Sequence, residues 1–175
     1  MVTLLFVGRD RSPGEWVLLS YRLPREPSTP RITLWRKLKK LGVAQLADGV
    51  AALPADARTR EQLEWLAEEV AESGGQAGVW LARPSTASQE RGLAAQIAQA
   101  RAAEYSELES AAASATVLSA AGRAAAVKRL RAQWRQITRR DFFPPPERGR
   151  ARIALQALAE TTEKMAGTEA EEVSP

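Results

Sequence analysis

The residues of this sequence whose type and spacing could do chemistry are its cations. Arg123, Lys128, Arg129, Arg131, Arg135, Arg139 and Arg140 fall in one stretch, with no acidic residue between Ala120 and Arg140. Guanidinium and ammonium groups repeated along a helix suit the phosphates of DNA or RNA, because each phosphate neutralised releases condensed counterions. The same residues also fit a solvated face paired with Glu104, Glu107 and Glu109, although clustered like charges cost stability without a partner. A second patch holds Arg31, Arg36, Lys37, Lys39 and Lys40. Taken alone it reads as a solvated helix face, but two basic helices in one small chain favour a shared polyanion. Arg22 and Arg25, followed by the helix start at Ser28 and Thr29, form a third group. A guanidinium beside the unpaired N–H groups of a helix N-terminus suits a small dianion, whereas pairing of Arg22 with Glu26 or Asp48 would make this an ordinary loop. Trp16, Trp35, Trp65 and Trp80 lie in apolar surroundings and read as core rather than as stacking platforms.

Other chemistry is largely excluded. The 175 residues contain neither cysteine nor histidine, which removes disulfides, thiol redox chemistry and the usual zinc ligands. The side chain that most readily moves protons near neutral pH is also missing. Asp48 and Asp56 stand in no metal-ligand spacing, and neither a phosphate-binding glycine loop nor a nucleophile elbow occurs. No catalytic residue, metal or cofactor is therefore expected. The formal net charge is +4 and the isoelectric point about 9.8, a balance that favours anionic partners. Thr3–Val7 is too short for a membrane span or a signal-peptide core, so a cytoplasmic chain is expected, with the first dozen residues a weak edge strand or the product of a mis-chosen start codon.

The elements that must carry these residues alternate at first. Trp16 to Tyr21 reads as a buried strand bounded by Gly14 and Pro24. A helix over 30–41 follows, capped by Ser28 or Thr29, with Ile32, Trp35, Leu38 and Leu41 inward, Leu34 widening that stripe, and Gly42 as its stop. Residues 43–53, with Asp48-Gly49 in the middle, read as two short strands or one bent one. A second helix begins at Thr59, with Thr59 and Gln62 as a capping box; it carries Leu63, Leu66 and Val70 inward beside Trp65 and turns glutamates outward. Gly74-Gly75 ends it, and 76–82 reads as a last strand. This β-α-β(β)-α-β order, over 15–84, suits a ferredoxin-like α+β sandwich. Residues 85–166 read as a helical extension: a long hairpin of helices over 88–113 and 120–140, then a helix over 146–165. The 3-4-3 spacing of Val127, Leu130, Trp134 and Ile137 is that of a helix seam, which could serve a homodimer or another partner helix. Residues 167–175 read as a disordered tail.

These residues also carry a family likeness. Tyr21-Arg22-Leu23-Pro24-Arg25-Glu26-Pro27-Ser28, Arg31, Leu34-Trp35-Arg36-Lys37-Leu38, Leu41-Gly42, Asp48-Gly49-Val50 and Leu53-Pro54 resemble the N-terminal region of the ChrB family. The likeness continues through Thr59, Glu61, Gln62, Trp65-Leu66-Ala67, Gly74-Gly75, Glu104-Tyr105 and Arg140-Asp141-Phe142-Phe143. What the resemblance implies is a DNA-binding regulator of bacterial chromate resistance that responds to chromate. The first half also resembles the ferredoxin-like module of PaaX-type repressors and of CRISPR spacer-acquisition subunits. Family members commonly continue into a second chromate-resistance domain, whereas this sequence stops at Pro175. If sensing belongs to that domain, this chain is expected to bind DNA without sensing, or to act as an accessory. Without histidine or cysteine, any chromate contact would be capture of an oxyanion by arginine or lysine.

Overall fold

The computed structural model describes residues 14–172, with side chains as far as Met165. The edge strand expected at the start of the chain lies outside the described residues. Contacts divide the chain into two compact units that meet between Ala94 and Ala95.

The first unit is an antiparallel sheet with two helices. Its elements are β1 (Trp16–Arg22), α1 (Thr29–Leu41), β2 (Ala44–Ala47), β3 (Val50–Pro54), α2 (Ala57–Glu72) and β4 (Gln76–Ala82). The strand order is β2-β3-β1-β4, so β1 and β3 are central and the crossovers through α1 and α2 give the ferredoxin-like arrangement. β1 pairs with β3 (Leu18 opposite Ala52) and with β4 (Leu18 opposite Trp80). Asp48-Gly49 forms the β2–β3 hairpin, making two strands rather than one. Gly49 takes φ 76°, and a Cβ there would collide with the Tyr21 carbonyl. The Gly49 carbonyl in turn accepts the Tyr21 N–H at 2.7 Å, so the turn is held against β1 by a contact that only glycine permits.

Helix faces explain where the core departs from expectation. On α1 the buried residues are Leu34 and Leu38, while Ile32 and Trp35 are exposed. Steps of three residues drift by roughly 60° each on a 3.6-residue helix, so Ile32, Trp35, Leu38 and Leu41 wind around the axis instead of sharing a face. Steps of four and three (Leu34, Leu38, Leu41) stay on one side. On α2, Leu63, Leu66 and Val70 are buried, and Trp65 lies roughly 200° from Leu63, pointing to solvent. α2 starts earlier than expected: Asp56 is its N-cap and accepts the Thr59 N–H at 2.7 Å, while Thr59 accepts the Asp56 N–H at 3.0 Å. The Thr59 hydroxyl also donates to the Pro54 carbonyl at 2.7 Å. The box is therefore Asp56–Thr59, because Thr59 is buried and reaches both groups, whereas a cap at Thr59 would leave Asp56 idle.

The second unit is helical. α3 (Ala87–Ala115) enters it at Ala95, and α4 (Ala120–Thr138) and α5 (Glu147–Glu172) complete it. Ser119 caps α4 by accepting the Gly122 N–H. The core contains Tyr105, Leu108 and Ala112 from α3, Val127, Leu130 and Ile137 from α4, and Ala151, Leu155 and Leu158 from α5. Trp134 is half-buried, its ring 5.2 Å from that of Tyr105. α5 continues to Glu172, through residues expected to be tail; its Ala- and Glu-rich sequence there contains no proline to break the helix.

Candidate nucleic-acid interface

α4 sorts its own cations. Counted at roughly 100° per residue, Lys128, Arg131, Arg135 and Arg139 fall within an arc of roughly 80°, opposite the buried Val127, Leu130 and Ile137 seam. All four are exposed, as is Arg129 beside the stripe. Among the described residues, none of these five side chains has a hydrogen-bonding or ionic partner. Of the pairing expected with Glu104, Glu107 and Glu109, the run contributes Arg140 to Glu104, and these five cations take no part in it. Glu104 is engaged by Arg140 at 3.0 Å and Arg101 at 3.3 Å, and Glu109 by Arg150 of α5 at 3.4 Å.

Arg123 does not join the stripe. It is 6% exposed, its Nη1 donates to the Leu118 carbonyl at 2.5 Å, and its Nη2 lies 3.0 Å from Met165 Sδ. Its place in the helix, roughly 140° from Lys128, turns it into the bundle, where it satisfies a carbonyl of the α3–α4 joint. It has no surface left for a phosphate.

On α1, Arg36 stands opposite the buried Leu34–Leu38 face, exposed and without a partner among the described residues, and Arg31 is likewise exposed and unpaired. Lys40 is also exposed. Lys37 points towards α2 instead, where its Nζ donates to both oxygens of Glu69 at 2.6 Å. The acidic face of α2 thus takes one cation from the basic patch. The Lys39 ammonium sits 5.1 Å from the centre of the exposed Trp35 ring. At the β1–α1 connection, Arg22, Arg25 and Ser28 are all exposed. Arg22 pairs with neither Glu26 nor Asp48 among the described residues. Ser28 occupies the N-cap in helical geometry (φ −74°, ψ −18°), and its hydroxyl makes no capping hydrogen bond.

A polar cluster in the second unit was not foreseen. Arg101 is 1% exposed, on the α3 stripe that also buries Ile97, Tyr105 and Leu108. Its Nη2 reaches Glu104 at 3.3 Å, and burial lowers its pKa against the opposing pull of Glu104. The Tyr105 hydroxyl donates to Asp141 Oδ2 at 2.9 Å, and Arg148 Nη1 approaches the same oxygen at 3.3 Å. Burial raises the Asp141 carboxyl above its ordinary range, opposed by Tyr105, Arg148 and Arg101. Burial first, then Asp141, pushes the Tyr105 phenol up in turn. Beyond the α4 C-cap at Arg139, Asp141 and Arg140 tie the turn before α5 back to Tyr105 and Glu104 of α3. The one sequence signal for this cluster is that Glu104-Tyr105 and Arg140-Asp141 both lie among the residues of the family likeness.

No group of His, Cys, Asp or Glu residues able to hold a metal occurs among the described residues, and none of their helices is long and apolar enough to cross a membrane.

The fold and its open cations define an α+β protein whose helical unit presents one unneutralised basic stripe. Residues 31–117 match the family model described as Protein ChrB, N-terminal. Over 143 residues, 79% of this chain, the sequence is 32% identical to Protein ChrB of Cupriavidus metallidurans, and it covers 43% of that protein. The chain belongs to the ChrB family, through that family's N-terminal region. It spans less than half the length of the curated relative it matches.

Proposed function

We propose that this chain is a DNA-binding regulator associated with chromate resistance, acting without a catalytic step. The observation that carries the DNA reading is the stripe Lys128–Arg131–Arg135–Arg139: exposed, on one side of α4, and with no carboxylate engaged. Four like charges over three turns repel one another, and a phosphate backbone relieves that repulsion. The stripe extends roughly 16 Å at 1.5 Å per residue, enough to follow a phosphate backbone. Its role in this reading is positioning and affinity. In the first unit, the exposed Arg31 and Arg36 of α1 are a separate basic surface that phosphates also suit.

The association with chromate comes from the family likeness. In this reading the oxyanion is held by Arg22, Arg25 and the α1 N-terminus at Ser28, where the two guanidinium groups are unpaired and the serine hydroxyl is not engaged in capping. The test is fluorescence anisotropy of a labelled duplex taken from upstream of the chain's own gene, against a scrambled duplex, over a salt series. Binding that weakens steeply with salt is expected. No binding at low salt would end the regulator reading. Added chromate should shift the melting temperature of the protein, and Arg25→Ala should abolish that shift.

A further inference from the structure

The two edges of the sheet are unlike. β2 is four residues long and its pairing with β3 slips between Gln45 and Ala47, so it offers a short and irregular edge. β4 is seven residues long, pairs with β1 in unbroken register, and contains neither a charge nor a proline from Gln76 to Ala82. Its far edge carries no strand among the described residues. Long, regular, uncharged edges are the kind that proteins normally blunt with lysine, proline or a bulge. β4 also presents Trp80 and Leu81, 61% and 54% exposed, on opposite faces.

We infer that β4 is a homodimer interface, at which a second copy of this chain adds its own β4 antiparallel to the first. The occupant follows from the strand's self-complementarity. A twofold axis through Val79 sets Gly78 opposite Trp80 of the second copy, Ala77 opposite Leu81, and Gln76 opposite Ala82. Trp80 already lies over its own Gly78, where a Cβ would come within 3.1 Å of the indole nitrogen, and its N–H donates to Ser20 at 2.9 Å. The indole is thus turned towards β1, over its own Gly78, which leaves the outer edge of β4 clear for a second strand. No charge in the strand repels its copy, and the pairing is isologous and closed, so it stops at two chains.

The absence of native cysteine makes the register directly testable in the full chain. Ala77 and Leu81 are both exposed, so Ala77→Cys and Leu81→Cys should fold. Facing residues in an antiparallel pair lie about 5 Å apart, within disulfide reach. Two copies of the same position, four residues out of register, lie roughly 13 Å apart and cannot be bridged. An equimolar mixture of the two variants should form a disulfide-linked dimer under mild oxidation, and neither variant alone should. Sedimentation equilibrium of the unmodified chain at tens of micromolar should show a dimer, and Leu81→Lys should weaken it at least about tenfold. Three results would overturn the inference: a monomer throughout, a dimer that Leu81→Lys leaves unchanged, or crosslinking of each variant alone. A monomer whose β4 amides resist hydrogen exchange would assign the edge to another stretch of the same chain, and would overturn it too.

Discussion

Neutralising the middle of the α4 stripe gives the sharpest test of whether it contacts DNA. Arg131 and Arg135 are exposed, unpaired and four residues apart on the face opposite the core, so Arg131→Ala/Arg135→Ala should leave the fold intact. Each phosphate contact contributes about 0.9 to the slope of log affinity against log salt on duplex DNA. Losing two should flatten the slope by about 1.8. Because the electrostatic contribution vanishes towards 1 M salt, the same arithmetic gives a loss of about 60-fold at 0.1 M and almost none at 1 M. The assay is anisotropy of one labelled duplex over a salt series, with circular dichroism to confirm the fold. Arg123→Ala is the internal control: a residue held to Leu118 and Met165 should lower stability and leave the salt slope unchanged. An unaltered slope in the double variant, or a slope that falls equally with Arg123→Ala, would refute the assignment of phosphate contacts to this face.

Three further outcomes follow from the geometry. Tyr105→Phe removes the 2.9 Å donor from a carboxylate that is wholly buried; it should cost about 1–3 kcal/mol in urea unfolding, and a neutral result would show the bond to be dispensable. Asp141 bears on pH: its folded-state pKa is raised, so between the unfolded value and the raised one the native state holds a proton that the unfolded chain has lost. Stability from this group therefore falls as pH rises through that window and is regained on acidification. Relative to Asp141→Asn, the unmodified protein should gain stability as pH drops from neutral towards 4; a relative loss would reverse the assigned direction. Gly49→Ala should destabilise by more than the roughly 1–2 kcal/mol of left-handed strain, since the added carbon also meets the Tyr21 carbonyl; unchanged thermal unfolding would mean that the hairpin relaxes freely.

How much of this was legible in the sequence depended on the kind of signal. Alternation of strand and helix, the Gly42 and Gly74 stops and the Asp48-Gly49 turn report local backbone preferences, and they define the ferredoxin-like order without tertiary information. Trp16 is buried as expected, but the other three tryptophans were misread because hydrophobicity was taken for burial. Trp35 and Trp65 sit on the wrong side of their helices by simple angular counting, and Trp80 is left exposed because β4 is an edge. Edge position depends on strand order, which no window along the chain contains. The basic patches were legible as composition but not as surfaces. Nothing adjacent to Lys37 announces Glu69, which is 32 residues away, and nothing in the run from Arg123 to Arg140 separates the buried first arginine from the exposed middle ones except helix phase.

Arg101, Arg123 and Arg140 show why helix phase bears on function as well as packing. These arginines are turned inward or tied down: Arg101 and Arg140 by Glu104, and Arg123 by a backbone carbonyl. Of the acids on α3 and at the end of α4, Glu104 serves α3 and the α4 end, Glu109 serves α5 and Asp141 serves Tyr105 and Arg148, while the exposed Glu107 pairs with no described residue. The stripe from Lys128 to Arg139 stays unpaired while Glu104, Glu109 and Asp141 hold other partners, and an exposed ion pair would contribute only about 0–1 kcal/mol. Disrupting those structural pairs should therefore reach the surface. In Tyr105→Phe or Arg148→Ala, any carboxylate released from the cluster could turn to the cations at the end of α4, and DNA affinity would fall without loss of a single phosphate-contacting residue. Such a fall, measured at fixed salt in a variant that remains folded, would tie the buried cluster to the exposed stripe; unchanged affinity would show the two to be independent.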